Sequence, residues 1–511
     1  MKRNILFLLS LCMLLLTCSD SNDPIKEVEK KDPFISLKKS NIDFTNEGGS
    51  EAILIESNVT WTAKSSASWC TVTPSSGNKS TESITLSASA NKDYDNRSCS
   101  ITIESGGITK TITVNQRGDL PGGYWVDKMG TLGTLLNQTQ KDTITTMIIM
   151  GEINKADFDV MKLEMPKLKY IDMKDVKCKD DKIPNSAFGG NYFNNNYNKF
   201  INTIILPKSI TAIGISAFSN CSGLTGNLIL PDGVTTIGNS AFSSCTGFTG
   251  DLILPNGLTT IESSAFSVCT GFTGNLILPD GVITVGYKAF YGCSGFTGNL
   301  ILPKGLSEIG EYAFGNCTGF TGDLVIPDGV KTIGSLAFQN CRGFTGDLII
   351  HDGVKTIGES AFHGCSGFTG DLILPKGLSE IGVRAFFHCI GFTGDLVISD
   401  GLVIINNSAF QYCSGLTGLT IGKNVTTIEE SAFNNCSNIT GNVVFPASLT
   451  STRKESFYGC NKVEAFQFPH TTPLGYYKDM LPSRATVKVP TSAVATYKAA
   501  YGWKDHTIVG Y

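Results

Sequence analysis

The residues best equipped for chemistry are cysteines on a fixed beat. Cys221, Cys245, Cys269, Cys293, Cys317, Cys341, Cys365, Cys389 and Cys413 stand 24 residues apart, Cys436 follows after 23, and Cys460 after 24. Regular thiols are the raw material of zinc sites and disulfide ladders. Zinc, however, takes ligands as close pairs, and each interval here holds one Cys with no His in register. Stacked neighbours would also carry their side chains parallel, whereas a bridge needs them facing. The column reads instead as small inward-pointing fillers, one per repeat.

Other columns keep the same beat. Asn227, Asp251, Asn275, Asn299, Asp323, Asp347, Asp371 and Asp395 offer oxygens that suit Ca²⁺, and the same residue types cap turns without an ion. Where the copies disagree, His363, Phe387, His388 and Tyr412 fall on three consecutive repeats and would form an aromatic and imidazole patch. A further column is apolar: Ile229, Ile253, Ile277, Ile301, Val325, Ile349, Ile373 and Val397. It forms either an exposed binding or assembly stripe or the β-branched filling that parallel strands favour. Both patches are candidate ligand-binding surfaces.

Catalytic signatures are missing from the sequence. The five histidines (351, 363, 388, 470 and 506) have no zinc spacing. There is no Gly-x-Ser-x-Gly elbow, P-loop or dinucleotide fingerprint. We expect no catalytic residues, no metal and no cofactor. The 41 basic and 45 acidic residues nearly cancel, to a net charge of -4. No cationic block supports nucleic-acid binding.

The element that positions these columns is a repeat, Leu-x-Leu-Pro-x-Gly-Val/Leu-x-x-Ile-Gly-x-x-Ala-Phe-x-x-Cys-x-Gly-Phe-Thr-Gly-Asp/Asn. It spans about residues 201–468. A period in the twenties with Leu and Ile at fixed offsets predicts a solenoid with one short parallel strand per coil. No coil can enclose its own core, so each must stack on neighbours. Phe248, Leu252, Leu254, Leu258, Ile261 and Phe266 should point inward, each worth roughly 1.5–3 kcal/mol when buried. Ala265 stays small where the chain lies close beside Phe266. About twelve coils at roughly 4.8 Å each predict a length near 55–60 Å. The unit resembles the BspA-like, treponemal-type leucine-rich repeat, with the Thr-Gly-Asp/Asn insertion as a departure. The resemblance implies a surface protein that adheres to host or bacterial proteins.

Residues 34–117 differ. Period-two runs such as Ile84–Ala88, Cys99–Ile103 and Thr111–Val114, separated by turn signals such as Pro74–Gly77, predict an antiparallel sandwich of six or seven strands. Ser57–Trp61, Ser68-Trp69, Pro74–Gly77, Asn96-Arg97 and Ile112–Gln116 make this segment similar to a BACON domain, an Ig-like sandwich for which the resemblance implies either carbohydrate or mucin binding or a spacer role. Trp61 and Trp69 would either stack on a sugar or fill the core. Cys70 and Cys99 are candidates for a disulfide.

The ends complete the plan. Lys2 and Arg3 precede an apolar run, Ile5–Leu16, that reads as a secretory signal. Leu15-Leu16-Thr17-Cys18 resembles a bacterial lipoprotein box, with Thr17 where a smaller residue is usual. It implies a signal peptide over 1–18, lipidation at Cys18 and an outer-membrane anchor. The acidic stretch Ser19–Asp23 is similar to surface-export signals of Bacteroidetes lipoproteins, and residues 19–33 read as a tether. Residues 119–200 form an irregular lead-in with a loop insertion at Asn191–Asn198. Residues 469–511 form a cap: a last strand at Thr486–Pro490, then a short helix over Thr491–Tyr501. The whole reads as a lipid-anchored surface protein whose solenoid binds an extracellular or host protein, with glycan capture or a passive scaffold as alternatives.

Overall fold

The computed structural model describes residues 33–78, 81–93, 96–119, 123–190 and 200–511. Cys18, the signal segment and tether through residue 32, and the Asn191–Asn198 insertion lie outside the described residues. The chain divides into two compact units, one ending at Pro121 and one beginning at Gly122.

The first unit is a sandwich. One sheet runs Ile35–Leu37, Gly49–Ser57, Thr81–Ala88, Cys70–Thr73, and the other runs Asn41–Phe44, Ile108–Gln116, Arg97–Ser105, Trp61–Ser65, Ser76–Gly77. The nine strands of the described residues exceed the six or seven expected, because the first run is split into Ile35–Leu37 and Asn41–Phe44 and the expected turn Pro74–Gly77 contains the two-residue strand Ser76–Gly77. Lys38–Ser40 carry the chain from one sheet to the other. Asn41–Phe44 consequently lies parallel to Ile108–Gln116, while the other pairings in both sheets are antiparallel. Alternation places Ile55, Ile84, Leu86, Ile101, Ile103, Ile112 and Val114 inside, all fully buried.

The second unit is a solenoid of about 16 turns with parallel strands roughly 24 residues apart. It is longer than the twelve coils counted from the repeat because both ends join it. In the lead-in, Gly123–Val126, Thr146–Ile153, Tyr170–Asp172 and Thr203–Ile205 pair in parallel, and Met147, Phe158, Leu168 and Ile171 enter the same core. Asp157 caps this end, its buried carboxylate accepting backbone N–H bonds from Gly130, Leu132 and Asn154 at 2.6, 2.9 and 2.9 Å.

The coils build two ladders, one of them interrupted. The Leu-Ile column pairs Leu276 with Leu300 and Ile277 with Ile301, and Leu324–Ile326 with Leu348–Ile350. The Thr-Ile column runs without a break through Thr260–Ile261, Thr284–Val285, Glu308–Ile309, Thr332–Ile333, Thr356–Ile357 and Glu380–Ile381. Between them stand two columns of stacked rings. Phe218, Phe242, Phe266, Phe290 and Phe314 lie 5.1–5.5 Å apart by centroid. Phe320, Phe344, Phe368 and Phe392 are spaced 5.3–5.8 Å. Phe248, Leu252, Leu254, Leu258, Ile261, Ala265 and Phe266 are all buried.

The C-terminal end departs from expectation. The last strand is not Thr486–Val489 but Thr507–Gly510, which pairs parallel to it. Parallel neighbours need a crossover, and the helix Val494–Ala499 with Gly502 and Trp503 supplies it. Trp503 anchors the crossover: its Nε1 donates to the Leu474 carbonyl at 2.9 Å, and its ring meets Phe468 edge-on at 5.0 Å.

Candidate functional site

The cysteine column is structural. Cys245 Sγ donates to the Phe218 carbonyl one coil back at 3.0 Å, and the pattern repeats from Cys269 to Phe242 through Cys460 to Phe433. These thiols are buried and free. Burial pushes Cys293, Cys341 and Cys413 up to about 12 and raises Cys317 and Cys365 well above the ordinary thiol value. Such groups are poor nucleophiles and poor ligands. No cluster of three or more His, Cys, Asp or Glu that would hold a metal ion exists among the described residues.

Two members of the Asp/Asn column bind the backbone of the next coil. Asn275 Oδ1 accepts from the N–H of Asn299 at 2.7 Å, and Asp323 Oδ1 from that of Asp347 at 2.8 Å. The inserted Thr-Gly explains itself here. Thr369 Oγ1 donates to the Thr345 carbonyl at 2.8 Å, and Thr393 to that of Thr369 at 3.1 Å. The glycine makes room for the preceding coil's carboxylate, since a Cβ at Gly346 would lie 1.9 Å from Asp323 Oδ1.

The apolar column faces outward. Ile229, Ile253 and Ile373 are 79%, 74% and 70% exposed, and Ile277, Ile301, Val325, Ile349 and Val397 are exposed to lesser degrees. Where strands pair in register, as Ile277 with Ile301 and Val325 with Ile349, neighbouring side chains shield one another. A depression of about 700 Å³ adjoins the stripe between Ile204–Leu206 and Ile229–Pro231, with Lys174 and Lys208 on its lining.

The corner that carries each Ala-Phe and Cys gathers the second patch. The His363 ring meets Phe387 at 4.9 Å, Phe387 meets Tyr412 at 5.6 Å, and His388 lies 6.0 Å from Tyr412. All four predicted residues come together. His388 and Tyr412 hold left-handed backbone, φ 59° and 62°, at a position that the other coils fill with Gly, Asn, Ser and, once, Val268. Burial lowers the His363 pKa, and the nearby Arg384, His388 and Arg342 lower it further. The group is therefore a set of ring edges and faces beside cations, suited to stacking and cation–π contact.

Sequence reasoning missed a matching cluster further up the array. Lys288 Nζ sits 5.0, 5.4 and 5.1 Å from the ring centroids of Tyr287, Tyr291 and Tyr312, and a hydrogen bond to Tyr287 raises its pKa. These residues occupy the same corner as His363 and Phe387, one repeat register after another. Reading the His363 column in every copy would have found Tyr291, and the column of Arg384 would have added Lys288 and Tyr312.

In the sandwich, Trp61 is buried and fills the core. Gly77 leaves space for its ring, because a Cβ there would lie 2.3 Å from Trp61 Cζ2. Trp69 packs at the core margin with the Arg97 guanidinium 4.5 Å above its ring. Cys70 and Cys99 are free buried thiols, and burial together with the neighbouring Cys99 pushes Cys70 up to about 12.

A ladder of inward Leu, Ile and Phe behind an open strand face defines the class of leucine-rich repeat proteins. The BspA type leucine rich repeat region matches in six copies over residues 181–477, more than half of the chain, and the chain belongs to that family. Residues 35–119 match the viral BACON domain. The fold is similar to a leucine-rich repeat protein from Bacteroides ovatus, 22% identical, over 72% of this chain and 85% of that one, at TM-score 0.52. A leucine rich cell surface protein from Faecalibacterium prausnitzii is 25% identical over 56% of this chain and 82% of that one, at TM-score 0.37. No curated protein matches the chain. No helix among the described residues is long and apolar enough to cross a membrane.

Proposed function

We propose that this chain is a lipid-anchored surface adhesin that binds an extracellular protein through the strand face of its solenoid. One observation carries the reading: a stripe of β-branched side chains, Ile229 through Val397, stands in solvent along a continuous buried core. Folded proteins seldom leave so long an apolar line uncovered without a partner for it. The depression beside Ile229 would take an apolar anchor of the partner, the kind of contact that dominates interface energy. Membership of the repeat family supports protein interaction, and the buried thiols have no surface role to set against it.

Cys18 would carry the lipid, and the tether would hold the sandwich and solenoid clear of the outer membrane. Cells displaying the full chain should bind at least one of laminin, fibronectin or collagen, and the Ile253→Lys/Ile373→Lys pair should weaken that binding by about tenfold or more. Unchanged binding by the pair would reject the strand face. Binding to a glycan array alone would reject the protein partner. Separately, Cys18→Ala should abolish incorporation of labelled palmitate.

A further inference from the structure

The C-terminal cap contains a cleft that neither the strand face nor the aromatic corner explains. It measures about 360 Å³, inside the range of roughly 300–1,000 Å³ that encloses small ligands. Tyr458 from the last repeat and Tyr476 and Tyr501 from the cap bring three phenol rings to it. Tyr501 is 86% exposed, the most exposed large hydrophobic ring of the chain's described residues.

The lining is built and held. Gly502, at φ 79°, lies so close to Tyr476 that a Cβ would sit 2.1 Å from the ring's Cδ1. The Tyr476 hydroxyl meets His506 Nε2 at 2.8 Å, and its ring lies 5.6 Å from that of Trp503. Asp479 and Arg484 both line the cleft from left-handed backbone, φ 55° and 58°, a conformation that costs energy for Arg484. His506 Nδ1 is buried without a hydrogen-bond partner, which folded proteins seldom tolerate without a further role.

Charge selects the ligand. Lys478 and Arg484 share the lining with Asp479 and Asp505, so two cations stand against two anions. A phosphate or carboxylate would meet the aspartates, an amine would meet the basic pair, and an apolar group would desolvate all four without return. Hydroxyl groups fit both halves, donating to the carboxylates and accepting from Lys478 and Arg484. The apolar C–H face of a pyranose would lie on tyrosine. We propose that the cap cleft binds a neutral saccharide unit, with Tyr501 as the stacking platform and Asp479, Asp505 and Arg484 as hydroxyl partners. This site is separate from the strand face and does not depend on it.

The test is saturation-transfer NMR on the full-length chain. The probes are methyl glycosides of glucose, galactose, mannose and N-acetylglucosamine, with glycine and glucuronic acid as charged comparators. At least one neutral glycoside should receive saturation, strongest at ring C–H protons. Tyr501→Ala and Arg484→Gly should each weaken its binding by about tenfold or more without lowering the melting temperature. Both changes spare the fold, since Tyr501 is solvent-exposed and glycine accepts the left-handed backbone at 484. The Ile253→Lys/Ile373→Lys pair should leave the signal intact, which separates failure here from failure of the strand-face reading. Absence of any neutral glycoside signal, a signal from glycine or glucuronic acid alone, or undiminished binding by both cleft variants would overturn the proposal.

Discussion

Cys341 Sγ donates to the carbonyl of Phe314, one coil back, at 3.1 Å, and that carbonyl also accepts the backbone N–H of Cys317 at 3.2 Å. The thiol is thus a second donor to an oxygen already bonded inside its own coil, and the bond links successive coils. Cys341→Ser keeps a donor of smaller reach, whereas Cys341→Ala removes it and leaves a small void. We expect Cys341→Ala to cost about 1–3 kcal/mol and Cys341→Ser to cost less, read from denaturant midpoints. Equal losses would show that volume, not the bond, sets the residue.

The same thiols should be inert while folded. Burial holds Cys293, Cys341 and Cys413 near 12, so iodoacetamide at neutral pH should label none of the repeat cysteines in native protein. All should label after unfolding in guanidinium. Stoichiometric labelling of the native chain, counted by mass spectrometry, would contradict this packing.

Gly346 is small because Asp323 Oδ1 occupies the space beside it and accepts from the Asp347 N–H. Gly346→Ala should cost about 1–3 kcal/mol by overpacking. In a double-mutant cycle Asp323→Ala should relieve part of that cost. Additive effects would mean that the two residues do not share the space.

Val268 is a β-branched residue held at φ 59°, at the position that Gly292 fills in the next coil. A left-handed backbone costs an L-residue roughly 1–2 kcal/mol. Val268→Gly should therefore stabilise the chain by about 1 kcal/mol, seen as a higher melting temperature. A lower one would show that the Val268 side chain contributes contacts worth more than its strain.

His363 gives the array a pH dependence. Burial, then Arg384, His388 and Arg342, hold its folded pKa below the ordinary value. A depressed base contributes stability that is present above the unfolded pKa, about 6.5, and is lost as pH falls through the folded value. Melting temperature should drop between about pH 7 and pH 5, and His363→Gln should shrink the drop. An identical pH profile in the variant would remove His363 from the account.

Much of this protein was legible because the repeat is nearly identical from copy to copy. A side chain that recurs every 24 residues must recur in the same place of a stacked coil, so the inward set and the solenoid followed from periodicity and burial. Outward placement of Ile229 through Val397 needed tertiary structure, since alternation along a strand leaves open how far neighbours in register cover each residue. The irregular ends were harder still. The lead-in carries no strict period, yet its strands add turns to the same core, and the final strand pairs only after a helix has crossed over.

What the sequence determined, then, is the coil: a 24-residue spacing of Leu, Ile, Phe and Cys admits one economical way to hide its apolar atoms. What tertiary structure alone decided is which residues meet across coils. The thiol-to-carbonyl bonds, the carboxylate lying against Gly346, the Tyr312 ring beside the Lys288 ammonium and the Tyr476 hydroxyl on His506 join residues 20 or more positions apart. Local pattern holds no record of such distances, because they arise only when coils stack.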